Sequence, residues 1–495
     1  MAILVAATPL FGGSGAGFAS PAASPPAPPI ASTATVVPAA ALSAALAREA
    51  EAARKSARAI GIHVVDLAGK SEVFGYEADR QRILASNTKL LTTAAVLARL
   101  TPEFRFETRF LLRGAIDAAG TLQGDVAILG AGDPNLSGRF HDGDSFAPFR
   151  PWARELRARG VRAVAGQLLL VNGIFEEPRV HPDWPRDQLT AWYEAPVEAL
   201  SFNDNCVLVR VRPGGKGGAL ARVETVPKVD YFQFRNSART TSGGGRLVVG
   251  RQAAGDTIVV SGTIGERSGP VDVWVAVHDP VAYFAAAMRA MLAEEGVALG
   301  AGYQYLHGPP PGVWEQVHVH ASGLDQTLAV TNKRSQNFYA ESLAKLLGFV
   351  TTGHGSWQTA TEAVSSFLVE LGIAATDFRL ADGSGLSRAN LATPRAMTTL
   401  LERMYFHPFG RDYLLSLPYS GEADLSWKRR LADPPYRGNV FAKTGTLNGV
   451  STLSGYAKAS SGRVYAFSIL LNETRGASVA RGAQDRIVRA LVDRG

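Results

Sequence analysis

The chain has 495 residues, 46% hydrophobic and 19% charged, with a net charge of +7. That length buries a large core and points to two or more domains, while a modest positive charge without a Lys/Arg cluster argues against nucleic acid and is compatible with an anionic surface. One cysteine, Cys206, excludes an internal disulfide framework and a cysteine-based zinc site.

Residues 1–40 read as a targeting segment and linker. Ala2 to Phe11 is a short apolar run, too short to span a bilayer, and Pro21 to Pro38 is rich in Ala, Ser and Pro. No Lys or Arg precedes Arg48, so the positive flank of an export signal is missing. The start is therefore misplaced or the signal atypical, and export is the expectation. Ala41 to Ala57 has a helical pattern. Ile60 to Asp66 and Glu72 to Tyr76, joined by a Leu67–Lys70 turn, predict a β-hairpin.

The next stretch carries chemistry. Leu90, Leu91, Ala94, Leu97 and Leu100 recur at helical spacing and predict a helix starting at Ser86. Residues three apart share a helix face, so Lys89 is placed beside the Ser86 hydroxyl. A serine is a weak nucleophile until a neighbouring base takes its proton. Ser-x-x-Lys arises by chance about once in a chain of this composition, and there is a second copy, Ser342 to Lys345, inside an apolar helical run. That copy reads as packed structure.

From Phe106 to Trp274 short strands alternate with glycine-rich turns: Val126–Leu129, Gln167–Val171, Val207–Val211 and Thr257–Ser261. This reads as a mostly β insertion. Gly130-Ala131-Gly132 completes no phosphate-binding fingerprint and reads as a turn. Asp279-Pro280 opens a helix, Val281 to Glu295. Ser335-x-Asn337 then places a proton-relaying hydroxyl and a carbonyl-binding amide just before a helix through about Leu347. Ser201-x-Asn203 repeats the pattern, but order along the chain favours Ser335. Asp382 to Arg388 is a turn-rich loop, a tight connector or a substrate contact, before a helix from Thr393 to His407. Val440 to Thr446 is a strand bearing Lys443-Thr444-Gly445, followed by strands at Leu453–Ala457 and Val464–Leu471 and a helix from Ala477 to Val492. A strand puts Lys443 and Gly445 on one side and lets a substrate lie along its edge, where glycine leaves room.

Ser86-x-x-Lys89, Ser335-x-Asn337 and Lys443-Thr444-Gly445, in that order, resemble the three motifs of penicillin-binding proteins. Residues 87–334 separate the two motif serines, which is similar to the D-alanyl-D-alanine carboxypeptidase/endopeptidase family (class C low-molecular-mass penicillin-binding proteins, peptidase family S13). Gly132-Asp133-Pro134, Ala195 to Asn205, Asp382 to Arg388 and Lys443 to Leu447 carry the resemblance further; Gly421 to Ser426 departs from it.

The resemblance implies an α+β transpeptidase-like fold, an antiparallel sheet flanked by helices. The hairpin pairs beside the C-terminal strands, in a domain of residues 41–105 and 275–495 with 106–274 inserted. It implies Ser86 as nucleophile, Lys89 as base with its pKa lowered by Lys443, and Ser335 as proton relay. Asn337 would hold the substrate amide, Lys443, Thr444, Gly445 and Thr446 the terminal carboxylate, and the N–H groups of Ser86 and Thr446 the oxyanion. Trp184, Asp187, Trp192 and Tyr193 either pack as a loop or reach the cleft, where Asp187 meets the amine of a diamino acid; the resemblance favours the second. No metal or organic cofactor is required. Peptidoglycan peptides and β-lactams are the expected partners, in the periplasm or cell wall. A β-lactamase and a non-catalytic wall-binding protein are the alternatives.

Overall fold

The computed structural model describes residues 39–495, apart from 301 and 424. The signal-like segment falls outside the described residues, except that Ala39 and Ala40 open the first helix. That helix runs Ala39–Ala53 and stops short of the expected Ala57, because Ala57 already pairs with Thr474 across the sheet.

The central sheet has five strands in the order Ser71–Tyr76, Ala57–Asp66, Val464–Thr474, Val450–Lys458, Val440–Leu447, every neighbouring pair antiparallel. The hairpin therefore lies beside the last strand, as expected, and the Lys443 strand is an edge. Only one isolated bridge, Tyr419 to Phe441, is formed beyond it among the described residues. Side chains alternate across a strand. Phe467, Ile469 and Leu471 join the core under helices Ala39–Ala53 and Ala477–Arg494, whereas Ala466 and Leu470 join the core shared by helices Pro394–Tyr405 and Thr88–Leu100. Both faces are covered, which is why residues 464–471 are apolar at every position but Ser468 instead of alternating.

Helix Thr88–Leu100 is the axis of the peptidase body: all of it except Ala98 and Arg99 is buried. It starts two residues later than the spacing predicts. Ala85–Asn87 forms a separate 3₁₀ turn, entered through Ala85 at φ 46°, so Ser86 sits on a bend ahead of the helix.

The inserted body has its own core around Phe110, Trp152, Phe202, Tyr283 and Met288. It contains a helix, Arg150–Ala158, among its strands. Four elements carry it past Trp274: strands Ala298–Leu299 and Tyr303–Leu306, paired with Ala163–Val164 and Leu168–Val171, and one helix and one further strand. Helix Pro280–Glu294, capped by Asp279 Oδ1 accepting from the N–H groups of Val281 and Ala282, buries its apolar face in this core. Strand Glu315–Gly323 then pairs with Arg105–Ile116 where the chain leaves and re-enters. At that crossing Asp133 is fully buried and accepts from Asn135 and from the Ser322 hydroxyl. Trp184, Ala195 and Val197 pack into the peptidase core instead of the insertion's own.

Candidate active site

The bend at Ser86 is held from two sides by glycines. A Cβ on Gly385, which has φ 83°, would fall 1.8 Å from the Ala85 carbonyl oxygen. One on Gly445 would fall 2.2 Å from Thr452 Oγ1, 2.8 Å from the Leu84 oxygen and 2.9 Å from the Ser86 nitrogen. The space at Gly445 is thus filled by the protein's own Leu84–Ser86 turn rather than kept open for a substrate. Asn87, fully buried, pins the same turn to the edge strand: its Nδ2 donates to the Lys443 carbonyl at 2.8 Å and its Oδ1 accepts from Ser454 at 2.7 Å.

One turn on, Lys89 is completely buried, and its Nζ has three partners. They are Ser86 Oγ at 3.1 Å, Asn337 Oδ1 at 2.7 Å and the Ser384 carbonyl at 2.8 Å. The last two are oxygens that only accept. A neutral amine serves both with its two N–H groups, and its lone pair then faces the remaining partner, the Ser86 hydroxyl. Burial pulls the Lys89 pKa down to about 7, against the opposing pull of Glu341 and Asp382. The neutral form is therefore accessible near neutrality. The expected cause, Lys443, is replaced by desolvation.

Lys443 is also buried, and donates to Ser335 Oγ at 2.8 Å and to the Thr444 carbonyl at 2.9 Å. Burial, reinforced by the charge of Lys89, holds its pKa well below the ordinary lysine range. Ser335 adopts φ 56°, unusual for a non-glycine residue; such conformations cost about 1–3 kcal/mol and persist where the surroundings enforce them. Asn337 follows and is engaged at both ends, Oδ1 by Lys89 and Nδ2 on the Tyr193 carbonyl at 2.9 Å. A primary amide has two N–H groups and two lone pairs, so each end keeps one for a substrate. Ser86 and Ser335 are partly exposed, Thr444 is half-buried and Thr446 is exposed.

The loop supplying the Ser384 carbonyl is built on two carboxylates: Asp382, which opens the loop the sequence picked out, and Glu341, which the sequence reading did not single out. Buried Glu341 accepts from the N–H groups of Gly383 and Ser384, at 2.9 and 2.8 Å, and from Trp357 Nε1 at 2.8 Å. Burial and nearby Asp382 raise its pKa to about 7. Asp382 accepts from the N–H groups of Gly385 and Ser387, from Asn390 and from Trp184 Nε1. Glu341 had one sequence signal, an acid inside the apolar run Phe338–Leu347.

The duplicate motifs are structural. Ser342 is buried and donates to the Phe338 carbonyl, and Lys345 donates to the Glu176 and Pro178 carbonyls and lies 4.0 Å from the Trp357 ring centroid. Ser201 donates to the Asp133 carbonyl. Asp187 is exposed and outside the hydrogen-bonded cluster. It stands near Tyr193 and buried Glu194, whose pKa burial and Asp187 together push up to about 7.

Residues 42–493 match the D-Ala-D-Ala carboxypeptidase 3 (S13) family. A D-alanyl-D-alanine carboxypeptidase of Actinomadura sp. (strain R39) is 33% identical over 450 residues, 88% of this chain and 81% of that protein. The chain belongs to the D-Ala-D-Ala carboxypeptidase 3 (S13) family. It is a serine peptidase of the penicillin-binding-protein class. The fold agrees: crystal structures of penicillin binding protein 4 from Haemophilus influenzae superpose with TM-scores of 0.76 and, for a β-lactam complex, 0.72, each at 24% identity. They cover 92% and 90% of this chain, and 98% and 99% of theirs.

Proposed function

We propose that this S13 peptidase removes the terminal D-alanine from peptidoglycan stem peptides, and cleaves D-alanine cross-links, through an acyl-enzyme on Ser86. The observation that carries the assignment is the Lys89 amine, buried, lowered to about 7 and held 3.1 Å from the Ser86 hydroxyl. Neutral Lys89 takes the hydroxyl proton as Ser86 Oγ attacks the carbonyl between the two D-alanines. The negative charge that forms on that oxygen lies against the backbone N–H groups of Ser86 and Thr446, donors typically worth about 3 kcal/mol each. Ser335, hydrogen-bonded to Lys443, passes a proton to the departing amine. Asn337 offers its remaining N–H to the substrate carbonyl. Lys443, Thr444 and Thr446, with Gly445 letting the strand seat against Ser86, receive the terminal carboxylate. Water then releases the acyl group; a β-lactam enters the same serine and leaves slowly. The inserted body, residues 105–323, bears none of the three motifs except through what it presses on them, such as the Tyr193 carbonyl. The site of action is the cell wall or periplasm.

Mass analysis of purified muropeptides after incubation tests the reading: loss of D-alanine and appearance of monomers from dimers are expected, and unchanged muropeptides would overturn it. Lys443→Ala should slow acylation by penicillin about a hundredfold by removing the amine that donates to Ser335 and receives the carboxylate. Stopped-flow acylation at matched melting temperature checks this, and an unchanged rate would remove the role. Asp187, at the exposed rim beside Tyr193, is proposed to meet the free amine of a diamino acid. Asp187→Ala should lower turnover of peptides ending in such a residue about tenfold and leave penicillin acylation unchanged, since penicillin lacks that amine. Equal losses on both would point to damage at Ser86.

A further inference from the structure

A cavity of about 870 Å³ borders the Ser335–Asn337 turn through Gln336, and none of Ser86, Lys89 and Lys443 lines it. The two sites share a wall. Gln336 lines the cavity while its neighbours Ser335 and Asn337 bond to Lys443 and Lys89, and Trp192 lines it while the carbonyl of Tyr193 holds Asn337. Nothing in the reaction above uses this space.

Its lining has a definite chemistry. Trp192 and Trp274, 40% and 45% exposed, present the only two indoles among the lining residues. Exposed tryptophans flanking a concave site are amphipathic platforms, with an apolar face and a polar edge. Arginine side chains outnumber acids there, Asp204 being the sole carboxylate. Arg210 holds Asp272 with Nε and Nη2, both at 2.8 Å, and Arg139 pairs with Asp204. A guanidinium has five N–H donors, so each keeps donors beyond its pair. Asp204 Oδ1 and Gln336 Oε1 are buried acceptors without a hydrogen-bond partner. Indole faces suit the C–H face of a pyranose, the free guanidinium N–H groups suit a carboxylate, and the orphaned oxygens suit hydroxyl or amide donors.

We infer that this cavity is an exosite for a carboxylate-bearing saccharide. Resting on the peptidase reading above, its occupant is the sugar–peptide junction of the wall polymer, an N-acetylmuramyl unit carrying L-Ala-D-Glu with its free α-carboxylate. Binding there holds the polymer beside the cleft without contacting the scissile bond.

The probe is the disaccharide dipeptide N-acetylglucosaminyl-N-acetylmuramyl-L-Ala-D-Glu, which contains no D-alanine and reports binding independently of catalysis. Isothermal titration calorimetry on the wild-type protein should give saturable binding. Trp274→Ala, at an exposed strand position whose loss leaves the core intact, should weaken it at least fivefold, and Arg210→Ala should weaken it less. In parallel, kcat/KM for disaccharide pentapeptide should exceed that for free pentapeptide, and Trp274→Ala should erase the difference by raising KM with kcat and penicillin acylation unchanged. No binding by the wild type, or binding indifferent to Trp274→Ala, overturns the exosite. Binding without turnover of either pentapeptide leaves the exosite standing and overturns the peptidase reading instead.

Discussion

Replacing Ser86 by alanine should lower D-alanine release from a pentapeptide to below about one ten-thousandth of wild type, because the proposed acyl-enzyme can no longer form. The fold survives this change: Ser86 is partly exposed, and its turn is fixed by Asn87, Gly385 and Gly445 rather than by its own hydroxyl. Ser342→Ala is the matched control. It carries the same Ser-x-x-Lys pattern, but its hydroxyl is committed to the Phe338 carbonyl and its lysine to two carbonyls on the inserted body. Release of D-alanine by the Ser342 variant should equal wild type within twofold or so. An active Ser86→Ala, or an inactive but folded Ser342→Ala, would reverse the assignment of the two motifs.

Lys89 is the second large effect. Removing a positioned general base costs about 10²–10⁴ in rate, and Lys89→Ala should sit near the upper end, since it also strips Asn337 and the Ser384 carbonyl of their shared donor. The wild-type enzyme should show the base in its pH profile. Burial has lowered the Lys89 pKa to about 7, and only the neutral amine accepts a proton. The acylation rate should therefore rise about tenfold per pH unit below that value and level off above it. The sign is the informative part: an ordinary lysine would still be climbing at pH 9, and a carboxylate base would have levelled off by pH 6. Stopped-flow acylation from pH 5 to 9 distinguishes the three.

The three motifs were legible because each rests on local chemistry. Spacing three along a helix places Lys89 by Ser86, and it still does so although the helix proper starts at Thr88, since the preceding 3₁₀ turn preserves the direction. The hairpin and closing strands were legible from their period. Three things were not. The limit of the insertion depends on Glu315–Gly323 pairing back to Arg105–Ile116, a long-range register that no local pattern encodes. The cause of the lysine's low pKa depends on burial, which becomes visible only when the Asp382–Ser387 loop closes over Lys89. Asp382 ties the loop together from within, but Glu341 holds it from a separate helix, and that part emerges only in three dimensions. Gly445 was read as clearance for a substrate, yet its missing side chain admits the Ser86 turn.

The most direct test of the Ser86 acyl-enzyme is peptide mapping of the protein after brief reaction with penicillin G, by tandem mass spectrometry with the adduct retained. The account predicts a single penicilloyl group on the peptide spanning Ser86, stoichiometric with protein, lost in Ser86→Ala. An adduct on a peptide containing Ser335 or Ser342, or no adduct on a folded protein, would contradict it.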